Sequence, residues 1–310
     1  MNKNAYLFPG QGAQYPGMGK DFAASFTVAR EIFEEADELL KENLSRVVFE
    51  GPETLLTQTK YSQAGIFVNS VAILRTIEDQ FPELKPSVTA GLSLGEYTAL
   101  YASARLGFQE TLRLVSERAR LMNEACEKTS GSMAAVLGLE AIDVETALRG
   151  CAGVWIANYN CPGQIVISGT KEGVERAAAP LKAAGAKRVI PLTVHGAFHS
   201  GLMQSAQDGL APYIAKAAIK DSNVGFVMNV PGNYVHSIEE IRRNVTSQVT
   251  HSVRWDQGIR AMTGIDLFLE IGCGKTLAGL NKKIGVAAQT ISIEKVEDLE
   301  RIGEMLCSNC

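Results

Sequence analysis

No stretch of this 310-residue chain approaches the ~18 consecutive apolar residues that a membrane-spanning helix needs, so a membrane partner is not expected. The opening segment, Met1 to Gly12, has no apolar core behind a basic start. A secretory signal is therefore not expected, and a cytoplasmic location is. There is no excess of basic residues. Lys and Arg number 30 against 34 Asp and Glu, for a formal charge of −4. Without a basic block the electrostatic grip on nucleic acid is missing. Cysteine shows no framework: Cys126, Cys151, Cys161, Cys273, Cys307 and Cys310 are scattered, as free thiols are in a non-secreted chain. Cys307 and Cys310 have CxxC spacing, but no second pair exists and they stand at the end of the chain, where order is weakest. Histidine is scarce. Imidazole chemistry must use His195, His199, His236 or His251.

What is present is globular: 46% apolar and 21% charged residues can build a sizeable core. Ala5–Phe8 reads as a strand running into the Pro9-Gly10-Gln11-Gly12 turn. Phe22, Phe26, Ala29, Phe33, Ala36 and Leu40 recur at helical spacing. A largely apolar helix is expected from Ala64 to Ile77, a buried strand from Ser87 to Gly91, and helices over Glu96–Ala104 and Phe108–Cys126. This alternation predicts an α/β fold with a mostly parallel sheet. The next segment reads strand 132–139, helix 143–149, strands 154–158 and 165–168, helix 172–184 and strand 188–194. That βαββαβ order is ferredoxin-like. The α/β pattern resumes with strand 266–271 and helix 276–284. The expected division is a discontinuous α/β domain of residues 1–128 and 196–310, with a ferredoxin-like subdomain over 129–195.

Gly91-Leu92-Ser93-Leu94-Gly95 fits G-x-S-x-G between a strand and a helix. A nucleophilic serine needs a tight turn that exposes its Oγ, and the glycines let backbones pass closely there. The turn also opens a helix, whose free amides face the reacting carbonyl. The Leu94 amide is the natural first donor to an oxyanion. The pattern alone also describes an ordinary glycine-flanked turn; the strand–turn–helix context favours the nucleophile.

Arg118 stands on the wrong face of its helix. At ~100° per residue, Phe108, Leu112, Val115, Ala119 and Met122 share one arc, and Arg118 falls within it between Leu114 and Met122. A buried guanidinium requires a partner. Three readings stay open at this point: an internal ion pair, a side chain snorkelling to the rim, or a clamp for a substrate carboxylate, which guanidinium geometry suits.

His195 and His199 stand four residues apart, but Gly196-Ala197 follow a strand end, so a helical metal site is not expected. His199 follows a strand end, a usual place for catalytic groups in α/β folds. Spacing does not rank it above His195. His236 and His251 read as surface residues. Gly274-Lys275-Thr276 resembles a P-loop tail, but Leu269 occupies the position that should be glycine.

Together these motifs resemble the malonyl-CoA:acyl carrier protein transacylase family of fatty-acid synthesis. The similarity runs to about Ile293. It rests on Phe8-Pro9-Gly10-Gln11-Gly12, on Gly91 to Tyr97, and on Arg118 in a Glu-Arg-x-x-x-Met setting. Asn160-Cys161-Pro162-Gly163-Gln164, Phe198-His199-Ser200 and Leu269-Glu270-Ile271-Gly272 complete it. The resemblance implies an α/β-hydrolase-like large domain with a ferredoxin-like insert. It implies Ser93 as the acylated nucleophile, His199 as its base, and the amides of Gln11 and Leu94 as the oxyanion hole. Arg118 would bind the malonyl carboxylate, and the backbone carbonyl of Gln248 would orient the histidine. Gln63 and Asn160 match further polar positions of the site. No bound cofactor or metal is implied; the coenzyme A thioester is substrate.

Such an enzyme would move malonyl from malonyl-CoA to the phosphopantetheine thiol of acyl carrier protein by a ping-pong route, and is expected to act as a monomer. Lys187, Arg188, Lys282 and Lys283 are the expected docking sites for an acidic carrier. Leu92 stands where the family usually has histidine, and His195 and Ala197 stand where it usually has serine and proline. Cys273 and Ser252 replace common prolines. The alternative activity is a serine hydrolase or thioesterase, which usually needs an acid between Ser93 and His199 in chain order.

Overall fold

A computed structural model describes residues 3–194 and 196–308. His195 and Cys310 lie outside the described residues, as does the side chain of Cys307. No described helix is long and apolar enough to cross a membrane.

Among the described residues ten strands form two sheets. They are β1 (Asn4–Phe8), β2 (Pro86–Gly91), β3 (Gly131–Leu137), β4 (Val154–Cys161), β5 (Gln164–Thr170), β6 (Arg188–Pro191), β7 (Gly225–Met228), β8 (Asn233–Tyr234), β9 (Leu267–Ile271) and β10 (Gln289–Ile293). The larger sheet has the order β10-β9-β1-β2-β7-β8. Its strands run parallel except at the β7–β8 edge. The smaller sheet, β4-β5-β3-β6, is antiparallel. The chain is therefore α/β, with a mixed, mainly parallel sheet and a second antiparallel one.

β1 and β9 are buried along their whole length, as strands covered by helices on both faces must be, and both are apolar except at Asn4 and Glu270, whose side chains are hydrogen-bonded. In register, Phe8 at the end of β1 lies beside Gly91 at the end of β2. The 9–12 turn and the serine turn thus leave the carboxyl ends of neighbouring central strands, where α/β folds place their ligands. The Thr59–Gln80 helix is buried nearly all round, which explains why its sequence is apolar without a clear polar face.

Several elements differ from the sequence expectation. The periodic segment from Phe22 to Leu40 forms two helices, Lys20–Ser25 and Thr27–Leu40. Phe26 between them is extended, and its N–H closes the first helix on Phe22. A one-residue break keeps both helices on the same core face, so the periodicity passes through it. β6 stops at Pro191 rather than Val194: Leu192 N still donates to Met133 O at 2.9 Å, but Val194 N turns back onto Leu192 O at 3.0 Å and leaves the ladder. β4 runs three residues beyond Asn158 through two register shifts. A parallel bridge from Asn158 to Val253 ties this sheet to the segment after Gln248. The sequence offered no reading of β7, β8 and β10, nor of the helices Gln204–Lys216, Ile238–Ser247, Trp255–Ala261 and Leu299–Ser308.

Candidate active site

The serine turn is enforced by close packing. A Cβ on Gly91 would overlap the Gly95 carbonyl, and one on Gly95 would overlap the Phe8 carbonyl. The Leu92 amide donates to Phe8 O at 3.0 Å. Ser93 is left with φ 54°, a left-handed conformation that costs a residue with a Cβ about 1–3 kcal/mol and persists only when its surroundings over-determine it. Asn229, just beyond β7, supplies that constraint. Its Oδ1 accepts from Ser93 N at 2.7 Å and its Nδ2 donates to Gly91 O at 2.7 Å. Sequence reasoning missed Asn229; nothing in its neighbourhood marks it.

His199 meets the serine from the other side. It too has a left-handed backbone, φ 58°, and only 4% of it is exposed. Its Nε2 lies 2.7 Å from Ser93 Oγ, and its Nδ1 lies 2.8 Å from Gln248 O and 3.2 Å from His251 O. Two carbonyls can only accept, so the proton is assigned to Nδ1 and the Nε2 lone pair faces the hydroxyl. Burial, and next the charge of Arg118, pushes the imidazole down to about 4, against the pull of the two carbonyls. At neutral pH the group is a free base. His236 and His251 are exposed.

Arg118 is 1% exposed and lies within the apolar face of the Phe108–Lys128 helix. Its Nη1 donates to Gln63 Oε1 at 2.7 Å; its Nη2 donates to Ser93 Oγ and to Gln248 Oε1, both at 3.0 Å. Among the described residues no carboxylate comes within ion-pair distance of it, and its Nε has no hydrogen-bond partner. Burial lowers its pKa, yet an arginine stays protonated. The cation is therefore held by neutral oxygens and touches the serine hydroxyl. Gln63 also donates from Nε2 to Gln11 Oε1 at 3.2 Å.

A cavity of about 250 Å³ opens over these groups, lined by Gln11, Ser93, Arg118, Asn160 and His199, with Leu92, Met133 and Phe198 among its apolar walls. Asn160 Oδ1 is buried there without a partner. The amides of Gln11 and Leu94 donate to no protein acceptor among the described residues. The site thus combines a hydroxyl at the cavity wall, a neutral base, two amides without a protein acceptor and a cation with no ion-pair partner among the described residues. That set can attack a carbonyl carbon and bind an acid group nearby. The structure brings together Gln11, Gln63, Ser93, Arg118, Asn160, His199 and Gln248 in this way. Lys187, Arg188, Lys282 and Lys283 lie elsewhere, all exposed. At Gly274-Lys275-Thr276 the following helix start is occupied by the chain's own Glu270, which accepts from Leu277 N at 2.8 Å and Ala278 N at 3.0 Å.

Comparison with known proteins converges on one family. The family model described as the acyl transferase domain matches residues 5–296. The malonyl CoA-acyl carrier protein transacylase of Bacillus subtilis is 40% identical over 306 residues, spanning 97% of this chain and 96% of its own. That of Haemophilus influenzae is 38% identical over 314 residues, spanning 99% and 100%. Among solved structures, a type II PKS acyl-carrier protein in complex with its malonyl-transacylase superposes with a TM-score of 0.94 at 37% identity, covering 98% of this chain and 99% of the matched chain. The transacylase of Streptococcus pneumoniae gives 0.93 at 39% identity, covering 98% and 100%.

Proposed function

This chain belongs to the acyl transferase domain family, and we propose that it transfers malonyl from coenzyme A to the phosphopantetheine thiol of an acyl carrier protein through a malonyl ester of Ser93. One observation carries the reading. A buried arginine with no carboxylate partner among the described residues touches Ser93 Oγ at 3.0 Å, while His199 Nε2 stands 2.7 Å from the same oxygen.

In the first half-reaction His199 Nε2 takes the Ser93 proton as Oγ bonds to the thioester carbonyl carbon. The amides of Gln11 and Leu94 hold the resulting oxyanion. The C–S bond then breaks, and the imidazolium returns its proton to the departing thiolate. In the second half-reaction the carrier thiol gives its proton to His199 and its sulfur attacks the ester; the Ser93 oxygen leaves with that proton. Arg118 binds the distal carboxylate throughout and sets the reacting carbonyl over Oγ. Gln63 and Asn160 line the acyl pocket, and the Gln248 carbonyl fixes the histidine. No cofactor takes part. Because the imidazole is oriented by carbonyls and no carboxylate among the described residues serves it, the reading favours transfer over the hydrolase alternative.

The larger sheet and its helices, residues 1–128 and 196–310, are read as the α/β-hydrolase-like domain. Residues 129–195 are read as a ferredoxin-like subdomain, supported by the β4-β5-β3-β6 order. The carrier is proposed to dock on Lys187, Arg188, Lys282 and Lys283. Lys283 Nζ donates to Gln164 Oε1 at 3.1 Å. Gln164 pairs with Leu137, and Leu137 with Arg188, which at ordinary strand spacing places the two backbones about 10 Å apart. The two basic pairs thus share one surface. The protein is taken to work as a cytoplasmic monomer.

The test is intact and peptide mass after exposure to malonyl-CoA. A malonyl adduct is expected on the peptide containing Ser93, absent in Ser93→Ala. An adduct that persists in that variant would refute the assignment.

A further inference from the structure

Glu96 is a buried carboxylate that the reaction above does not use. It lies in the first turn of the Gly95–Ala102 helix, directly behind the nucleophile, and it does not line the cavity. Its Oε2 accepts from Asn229 N at 2.6 Å and its Oε1 from Gln248 Nε2 at 3.0 Å. That same Nε2 also donates to Ser93 O at 2.9 Å. Both amide protons of Gln248 are therefore committed, and its Oε1 has to face away, where it accepts from Arg118 Nη2 at 3.0 Å. Its main-chain carbonyl meanwhile holds His199 Nδ1. One glutamine touches all three reactive side chains or their backbone, and Glu96, together with Ser93 O and Arg118, fixes which way its amide points.

We propose that Glu96 is a positioning residue that sets acyl-group selection: it anchors the Gln248 amide with the oxygen toward Arg118, so that a neutral acceptor holds the guanidinium and its charge stays available to the substrate carboxylate. The proposal rests on Arg118 being the malonyl clamp. The arrangement separates a buried carboxyl group from a buried cation by one amide. An anion in direct contact with Arg118 would neutralise it and leave the pocket indifferent to acidic substrates; an amide oxygen restrains it without doing so. The carboxylate matters as an acceptor on both oxygens. Its isostere, glutamine, would set an NH2 against either Asn229 N–H or the Gln248 NH2. The only relief is to turn Gln248 over, which brings its NH2 against the cation and removes the donor to Ser93 O.

The experiment compares malonyl-CoA with acetyl-CoA in acyl-enzyme formation by the full-length protein, as the ratio of the two kcat/KM values. Wild type, Glu96→Gln, Gln248→Glu and Arg118→Ala are measured. Losing or turning one charge-assisted hydrogen bond should lower the ratio about ten- to hundredfold in Glu96→Gln, mainly through a higher KM for malonyl-CoA. Gln248→Glu keeps the main-chain carbonyl and the shape but sets a carboxylate against Arg118; it should lower the ratio as far or further. It also keeps Glu96, so it decides the matter if Glu96→Gln does not fold. A purely structural role would lower both substrates together and leave the ratio alone. If Arg118→Ala collapses the ratio while Glu96→Gln keeps the wild-type value, the inference is overturned and the malonyl-clamp reading stands. If Arg118→Ala keeps the ratio too, the clamp reading falls, and the inference with it.

Discussion

Two buried titratable groups beside Ser93 should pull the stability of this protein in opposite directions as pH changes. Burial and the Arg118 charge lower His199 from 6.5 to about 4. Burial raises Glu96 from 4.5 to about 7, against hydrogen bonds from Asn229 and Gln248 and the attraction of Arg118. As pH falls below 6.5 the unfolded chain protonates this histidine while the native state refuses the proton until about 4. The His199 contribution is thus complete above 6.5 and is lost on acidification. For Glu96 the native state keeps its proton longer than the unfolded chain. Its contribution is complete below 4.5 and is lost as pH rises through about 7. Each difference spans about 2.5 pH units, worth about 3 kcal/mol at 1.36 kcal/mol per unit. Between 4.5 and 6.5 the two slopes nearly cancel in the wild-type protein.

Replacing one group exposes the other. Relative to wild type, His199→Gln should gain about 2–3 kcal/mol on going from pH 8 to pH 4.5, because it no longer resists protonation. Glu96→Gln, again relative to wild type, should gain about 2–3 kcal/mol in the opposite direction, from pH 4.5 to pH 8, on top of any constant loss from its mismatched hydrogen bonds. Urea unfolding followed by circular dichroism at half-unit pH steps measures this, provided the denaturant slope stays the same across variants. A His199→Gln difference from wild type that is flat with pH would mean that the native imidazole accepts protons as readily as a solvated one. The picture of a buried neutral base would then be wrong.

The turn itself makes a second claim. Gly91→Ala should destabilise by at least the 1–3 kcal/mol typical of overpacking, since the new Cβ meets backbone at Gly95. Gly279→Ala, at a helical position with open space around it, should stabilise by about 0.5–1 kcal/mol. Thermal melts of both variants check the opposite signs. For docking, changing Lys282 and Lys283 together to Glu should raise the KM for acyl carrier protein about five- to tenfold at low salt. Acylation by malonyl-CoA should stay at the wild-type rate, as steady-state and half-reaction assays can separate.

Local constraints were legible in the sequence; convergent ones were not. The serine turn could be read because backbone crowding demands glycine at 91 and 95, and that demand leaves a spacing. Arg118 could be read because a cation inside an apolar arc is conspicuous, although its partner could not. The structure answers that question with neutral oxygens from Gln63, Ser93 and Gln248, which lie 55, 25 and 130 residues away. Sequence spacing left His195 and His199 unranked; the contact between His199 and Ser93 is made across 106 residues. Asn229 reaches Ser93 across 136 residues from the end of a four-residue strand, too short to carry a period. Gln248 entered only through family resemblance and only for its carbonyl; its side chain, joined to Glu96 over 152 residues, left no trace in local pattern.

The same electrostatics accounts for a histidine held by carbonyls. A carboxylate at Nδ1 would stabilise the imidazolium and strengthen the base, as in triads with an acidic third member. Here it would also lie in the same buried pocket as Arg118, across one imidazole ring from the Ser93 oxygen that His199 and Arg118 both touch. In a dry pocket an anion so placed would compete with the substrate carboxylate for one guanidinium, and repel it besides. Carbonyl oxygens orient the ring through the same nitrogen without adding charge. The weaker base is offset by the cation itself, whose Nη2 donates to Ser93 Oγ and so favours the developing alkoxide. On the proposed reading, selection of an acidic acyl group by Arg118 and the absence, among the described residues, of an acid behind the histidine are one constraint: the pocket can keep its cation free only if every other group that fixes the reactive side chains is neutral or, like Glu96, stands one amide behind them.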